Sequence, residues 1–247
     1  MAIVVALVVV WWIVAASGIV SNFDLPTPLD VWRSLTENLN ELAVAALRSV
    51  IRLAVGMTAA VVLGTLIGLA MASRPFVQRS LGTLMIGLQA LPAIAWLPLA
   101  IIWFHPTVLA ILFVVVIGAM PAIAIATAAS VRQVPPVLVR AGRTMGARSW
   151  SLYRGVILPA AVPGYWAGLQ QGWAIAWRAL LAGELIAAGA RGLGFLLERS
   201  GAFDTSLLLA TMITIMAVGV LIEVFFTVVD RRIRTRRGLT IGSVSAG

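Results

Sequence analysis

The 247-residue chain is 61% hydrophobic and only 11% charged, and its eighteen basic residues, all arginine, outnumber nine acidic ones to give a net charge of +9. A soluble domain carries about 25% charged residues, so this composition excludes an ordinary soluble fold and indicates a membrane-embedded chain. The absence of cysteine excludes a disulfide framework and zinc–thiolate or iron–sulfur sites, and a single histidine, His105, argues against a histidine-rich metal site.

Six apolar segments predict transmembrane helices, because a helix needs about 20 apolar residues to cross the hydrocarbon core. We predict spans at about 2–20, 51–72, 81–104, 108–129, 160–182 and 207–229. The first segment lacks a basic region and is long for a signal peptide, so we interpret it as a retained span, with cleavage near residues 15–18 as the alternative. The sequence thus predicts an all-α integral membrane protein with one domain, residues 1–247.

The arginines set the predicted orientation. Two lie between the second and third spans, five between the fourth and fifth, and five after the sixth, ending at Arg237. The connections on the opposite side carry most of the acidic residues. Because positively charged loops stay in the cytoplasm, the arginine-rich side and both termini are predicted to be cytoplasmic.

Two outer segments are predicted to be folded. Residues 26–47 indicate a turn followed by an amphipathic helix. Its apolar residues are spaced for one face: Leu29, Trp32, Leu35, Leu39 and Leu42. Residues 184–206 contain four glycines, among them Gly189, and are interpreted as a re-entrant or folded loop.

Glycines recur at four-residue spacing in two spans. Gly64 and Gly68 form one such pair, and Gly164, Gly168 and Gly172 form two consecutive pairs. Small residues at this spacing let helix backbones approach closely in lipid. The alternative is that glycine is simply frequent in membrane helices.

Four residues are candidates for a solute pathway. Pro92 and Pro98 predict bends in the third span, which either line a pathway or serve packing alone. Arg178 and Glu184 are ionisable residues in or near the fifth span, about 9 Å apart along a helix axis. Arg178 either contacts an anionic solute or, as we favour, has a structural role at the outer interface. Glu223 is interpreted as the partner of a cytoplasmic arginine.

No catalytic constellation is recognisable. The chain contains no lysine, so a phosphate-binding Gly-x-x-x-x-Gly-Lys loop is impossible. His105 lies beside Pro106 at a predicted outer turn and is interpreted as a polar interfacial residue rather than a catalytic base. We therefore expect a non-catalytic chain that binds no cofactor or metal itself.

Residues 131–159 form a charged interruption between two spans, with five arginines and no acidic residue. Within it, Arg140-Ala141-Gly142 precedes Gly146-Ala147, and Leu158-Pro159 follows about a dozen residues later. This pattern resembles the cytoplasmic signature of ABC importer permeases, E-A-A-x-x-x-G followed by a Leu-Pro. The chain departs from that signature at Arg140, where the family has glutamate, and at Gly142, where it has alanine.

Three further passages resemble the nitrate/sulfonate/taurine branch of this permease family. They are LPTPLDVW (residues 25–32), LPAIAWLPLAIIWF (residues 91–104) and GELIAAGARGLGFLL (residues 183–197), the last with an acidic residue before a Gly-Leu-Gly. The resemblance covers nearly the whole chain, and the matching passages occur in the same order as in the family. It implies the type I importer permease fold, in the inner membrane of a prokaryote, and a small solute, such as a sulfonate, taurine or nitrate.

The resemblance also implies partners. In the family, the loop at residues 131–159, here called the coupling loop, forms a short helix that docks in a groove on an ATPase subunit, which carries the ATP and Mg. The implied partners are ATPase subunits, a second permease copy in a homodimer, an extracytoplasmic solute-binding protein and the lipid bilayer, without nucleic acid. The implied coupling residues are Arg140, Ala141, Gly142, Gly146, Ala147, Trp150, Leu152, Tyr153, Leu158 and Pro159. An autonomous channel or secondary transporter is the alternative, and a membrane-embedded enzyme is a third hypothesis.

Overall fold

The computed structural model of the chain describes residues 2–17, 21, 23–186, 191–201 and 203–236. Every regular element in these residues is helical. The α-helices are α1 (Ala2–Ala16), α2 (Pro28–Glu37), α3 (Leu39–Ser73), α4 (Pro75–Ala90), α5 (Leu97–Phe104), α6 (Val108–Arg132), α7 (Pro136–Thr144), α8 (Ser149–Leu152), α9 (Leu158–Ile186), α10 (Leu193–Gly201) and α11 (Thr205–Arg236). A 3₁₀ turn (Ala93–Trp96) precedes α5, and a π-helical turn (Tyr153–Ile157) precedes α9.

The predicted spans correspond to α1, α3, α4 with α5, α6, α9 and α11. Among the described residues, α3, α6 and α11 are long and apolar enough to cross a membrane, and the bent pair α4–α5 makes a fourth if it is one span. Helix α1 has only 15 residues, and the end of its predicted span, residues 18–20, lies outside the described part. Helix α9 has 29 residues, but its apolar character is interrupted by polar groups such as Gln170, Gln171 and Arg178.

The predicted third span is broken rather than continuous. Helices α4 and α5 meet at an angle of 95° across the break. Pro92 lies at the break, where it precedes the 3₁₀ turn, whereas Pro98 lies in the first turn of α5. Proline lacks a backbone donor and is tolerated in a first helical turn, so Pro92 marks the bend and Pro98 causes no second kink.

Helix α6 is the centre of the bundle, with α3 on one side and α9 on the other. Both predicted glycine stripes face it. A Cβ atom at Gly68 would lie 2.5 Å from Thr127 Cβ, and one at Gly164 would lie 2.9 Å from Ser130 Cβ. These separations are too short for a side chain, so the prediction of close helix contact is confirmed for both stripes.

The outer segment at residues 26–47 differs from its prediction. Helix α2 ends at Glu37, and the remainder belongs to α3, which continues unbroken into the membrane. Helix α2 begins with a capping box in which Thr27 Oγ1 accepts from the amide of Asp30 at 3.3 Å and Asp30 Oδ2 accepts from the amide of Thr27 at 3.2 Å. Its buried residues are Val31 and Ser34, while Trp32 is exposed, because the helix packs against α11 through a face other than the predicted one.

The second outer segment is folded, as predicted. Helix α9 continues to Ile186, and after residues 187–190, which include Gly189 and lie outside the described part, α10 packs against α9 and α11. Leu193 at its start is fully buried. Arg237, the last of the five arginines after the sixth predicted span, also lies outside the described residues.

Candidate coupling loop and membrane pathway

The coupling loop folds as a helical hairpin. Helix α7 carries Arg140 to Gly142, a turn follows at Gly146, and α8 continues through the π-helical turn into α9 at Leu158. Signature residues that are separated in sequence therefore lie on the two arms of one hairpin. The π-helical turn places Tyr153 and Leu158 directly on the path from the loop into the membrane helix α9.

Gly146 is the turn of this hairpin. Its φ of 87° lies in the left-handed region, which residues other than glycine rarely adopt. The amide of Gly146 donates to the carbonyl of Arg143, and the amide of Ala147 donates to the carbonyl of Gly142, both at 3.0 Å. This is the Schellman pattern that ends α7. The space around Gly146 is open, so the position requires glycine for its backbone conformation and not for lack of room.

Gly142 has the opposite requirement. It is buried, and a Cβ atom there would lie 2.9 Å from Leu152 Cδ1 and 2.9 Å from Val156 Cγ2. The second arm of the hairpin therefore packs directly on the backbone of α7. This contact accounts physically for the glycine at a position where the resemblance predicts alanine.

The loop exposes large apolar side chains. Met145 is 88% and Trp150 is 68% exposed, and Val137 and Leu138 on α7 are exposed as well. Of the three predicted apolar contacts, Trp150 is exposed and Tyr153 is half-buried, but Leu152 is buried inside the loop. Leu152 therefore holds the hairpin together and does not form part of its surface. The sequence interpretation missed Met145, although its place beside the turn glycine was the available signal.

Arg140 and Ala141 are exposed on α7, beside the apolar residues, and Pro159 is exposed at the start of α9. Arg140 borders a cavity of about 400 Å³ together with Arg132 and Arg143. Among the described residues, no carboxylate approaches Arg140 within ion-pair distance. A partner that covers this surface would meet a cluster of positive charge around an apolar centre.

Two of the predicted pathway residues share one cavity. Pro92 and Arg178 both border a cavity of about 460 Å³ between the break of the third span, α6 and α9. Arg178 Nε donates to the carbonyl of Ala174 at 3.0 Å and the side chain is exposed. Gln89 is the other strongly polar side chain at this cavity, whose remaining walls include Ile94 and Ala179. Pro98 is not among the residues that border it.

Glu184 lies elsewhere, in a buried polar network. Its carboxylate is fully buried and accepts from Arg52 Nη1 at 2.6 Å and from Ser49 Oγ at 2.7 Å, both on α3. It also accepts from the amide of Gly194 at 3.1 Å, and Ser49 Oγ in turn accepts from the amide of Leu193 at 2.9 Å. We call these five residues the Glu184 network. It joins α3, α9 and the N-terminus of α10, whose partial positive charge also favours a carboxylate.

The network gives a physical reason for the Gly-Leu-Gly sequence at residues 192–194. The Glu184 carboxylate occupies the space that a Cβ atom at Gly192 would need, and the backbone of α9 closely approaches Gly194. Leu193 between them fills the core. An acidic residue followed by Gly-Leu-Gly is therefore one packing unit.

Glu223 has different partners from those predicted. Gln170 Nε2 donates to Glu223 Oε1 at 2.5 Å, and Trp173 Nε1 donates to Oε2 at 2.9 Å. Both donors lie on α9, and the carboxylate therefore joins α11 to α9 rather than pairing with an arginine. Within the described residues, no group of three His, Asp or Glu side chains is placed to hold a metal ion.

Comparisons with known proteins agree with this architecture. Residues 60–235 match the family described as "Binding-protein-dependent transport system inner membrane component". The chain is 31% identical to the taurine transport system permease protein TauC of Escherichia coli over 240 residues, covering 94% of this chain and 87% of that protein. It is 29% identical to the nitrate import permease protein NrtB of Synechocystis sp., covering 89% and 82%. In the inward-facing MetNI methionine ABC transporter, a chain with 20% identity gives a TM-score of 0.70 over 80% of this chain and 98% of that one.

Proposed function

Because this chain belongs to the family of binding-protein-dependent transport system inner membrane components, we propose that it forms the solute pathway of an ATP-driven importer and couples that pathway to ATPase subunits through its coupling loop. The family consists of membrane subunits of ABC transporters. In this proposal the chain acts as a homodimer, receives solute from a binding protein and does not itself hydrolyse ATP.

The observation that carries the coupling proposal is the exposed apolar surface of the hairpin. Met145 and Trp150 are exposed beside the glycine turn, and aromatic and Met side chains are enriched in protein interfaces. Gly146 and the buried Gly142–Leu152 contact fix the hairpin, so the surface is preorganised. The π-helical turn links the hairpin to α9, and Arg178 of α9 borders the cavity at the break of the third span. Helix α9 thus provides a mechanical connection between the ATPase and the pathway.

The turn can be tested by a matched pair of variants. Gly146→Val should abolish copurification with the ATPase or uncouple ATP hydrolysis from uptake, because valine at a φ of 87° is strongly disfavoured. Gly87→Val is the control, since Gly87 lies in α4 outside the loop, has open space around it and does not have a positive φ. Intact assembly and coupled uptake in Gly146→Val would contradict the docking role.

We further propose that the pathway carries a small anion. TauC and NrtB are named for taurine, which carries a sulfonate, and for nitrate. A single cation, Arg178, with Gln89 in an otherwise apolar cavity suits one compact anionic group. The cavity lies at a broken helix. In membrane proteins, backbone groups freed by such a break are tolerated only where they face protein or line a water-filled cavity.

Uptake by the whole importer tests this assignment. Arg178→Gln should lower taurine or nitrate uptake about tenfold or more, as expected for loss of a charge-assisted hydrogen bond, while leaving ATPase copurification unchanged, because the loop is untouched. Arg33→Gln, which removes an exposed arginine of α2, should leave uptake unchanged. Normal uptake in Arg178→Gln would leave Arg178 with the structural role. Uptake by the chain alone in vesicles, without ATPase or ATP, would instead favour a channel or secondary transporter.

A further inference from the structure

A second, larger cavity opens at the arginine-rich end of the bundle. It has a volume of about 760 Å³ and lies between α4 and α6, with Met71 at the end of α3 beside Gly82. Its walls are separate from those of the Arg178 cavity. The volume lies within the usual range of small-molecule sites.

The two walls have the same order of side chains. On α4, Pro75 comes first, then Gln78 and Arg79, then Gly82 and Thr83 one turn later, and Ile86 lies deepest. On α6, the order towards the helix end is Ile125, then Ala128 and Ala129, then Arg132 and Gln133. The cavity is therefore cationic at its mouth, lined by small side chains in the middle, and apolar at its base.

The charge at the mouth is unbalanced. No acidic residue borders the cavity. Within the described part of the chain, the guanidinium groups of Arg79 and Arg132 have no hydrogen-bond or ion-pair partner. Two cations at one opening with no internal counter-charge attract an anion, and the guanidinium geometry favours a phosphate.

We propose that this cavity binds the phosphate-bearing headgroup of an anionic phospholipid of the inner leaflet. Arg79 and Arg132 contact the phosphate, Gln78 and Gln133 contact the polar part of the headgroup, and the upper acyl chain lies over Ile86 and Ile125. The apolar base favours a lipid over free phosphate, because a soluble anion has nothing to gain from those residues. Basic pockets between helices on this side of a membrane are suited to such headgroups.

The test uses the permease copurified with its ATPase and reconstituted in nanodiscs of phosphatidylcholine with about 20% of the anionic lipid phosphatidylglycerol. Retained phosphatidylglycerol is counted by native mass spectrometry. Arg79→Gln should lower the retained lipid about fivefold, as expected for one arginine near an anionic surface. Arg74→Gln is the matched control, because Arg74 precedes the same helix but does not border the cavity.

A second variant separates shape from charge. Ala129→Leu should fill the middle of the cavity and lower lipid retention without removing any arginine. Arg132 also borders the cavity of the coupling loop, so ATPase copurification is measured for every variant and should not change in Arg79→Gln or Ala129→Leu. This readout keeps the lipid proposal distinct from the docking proposal.

Three outcomes would overturn the proposal. Equal retention in Arg79→Gln and Arg74→Gln would show that the charge acts only as a general surface field. Unchanged retention in Ala129→Leu would place the lipid outside the cavity. Finally, if inorganic phosphate at roughly 10 mM lowers the phosphatidylglycerol retained by the unsubstituted protein to the level of Arg79→Gln, the ligand is a soluble anion.

Discussion

The Glu184 network and the coupling loop lie at opposite ends of α9, and each contains side chains in the environment that their chemistry least favours. At the predicted outer end, a carboxylate with no exposed surface is surrounded by protein. At the inner end, Met145 and Trp150 face solvent. Burying a charge and exposing large apolar groups both cost free energy, so each arrangement requires compensation.

The compensation differs between the two regions. The Glu184 carboxylate is satisfied inside the chain, by Arg52, Ser49 and the amide of Gly194. The apolar residues of the loop have no such cover within the described residues of this chain. One region is thus complete in the single chain, while the other fits a surface completed by a partner. Substitutions should accordingly change folding stability at the first and assembly at the second.

The largest effect is expected for Glu184→Ala. It leaves the guanidinium of Arg52 without its buried carboxylate and opens a cavity, and breaking a buried pair in this way costs about 3–5 kcal/mol. We expect a clearly lower thermal unfolding midpoint in detergent or a loss of folded protein. Glu41→Ala is the control, because its ion pair with Arg199 is about half exposed and contributes less than about 1 kcal/mol. Similar midpoints for the two variants would remove the distinction between buried and exposed pairs.

Trp150→Ala should have a smaller effect, and on assembly alone. An exposed aromatic side chain that becomes a central interface contact contributes about 2 kcal/mol or more, which corresponds to roughly 30-fold weaker ATPase binding. The unfolding midpoint of the isolated permease should not change, since the Trp150 side chain is largely exposed. Leu152→Ala should show the reverse behaviour, with lower stability of the loop, because Leu152 packs on Gly142. If Trp150→Ala destabilises the isolated chain, the surface has an internal role.

The smallest effect is expected at Asp30, in the capping box of α2. The hydrogen bond from the Thr27 side chain lowers the pKa of Asp30 below its usual value of 3.8, against an opposing contribution from burial. The folded pKa is lower than the unfolded one, so this stabilisation is present above pH 3.8 and is lost as the pH falls through the folded value. Asp30→Asn should flatten the acid limb of a pH-dependent unfolding curve slightly. An unchanged acid limb would show that the capping box does not contribute.

The sequence predicted the membrane class and most of the helical segments because these depend on local properties. Hydropathy identifies apolar helices one segment at a time, and a glycine stripe indicates a helix contact without specifying the partner. The bend in the third span was predicted at two prolines, but only Pro92 marks it. The position of a proline within its helix decides whether it bends the chain, and the sequence does not define that position before the helix boundaries are known.

The signature residues of the loop were also recognisable from sequence, but their individual roles were not. Gly146 and Gly142 are both glycines for different reasons, one for a left-handed backbone and the other for a close contact with Leu152. The same limit applies to the acidic residues. Glu184 and Glu223 both appeared as charged residues near spans, and nothing in the sequence identified Arg52, Gln170 or Trp173 as their partners.

By itself, the sequence determined that this chain lies in a membrane, where most of its helical segments are, and which family pattern it carries. These features follow from composition and from spacing along the chain. Only the tertiary structure decided that Ser49 and Arg52 meet Glu184, more than 130 residues away, and that Met145 lies on the surface of the loop. Such contacts depend on how helices pack against one another, because the free energy of a buried charge or an exposed apolar side chain is set by neighbours that are distant in sequence.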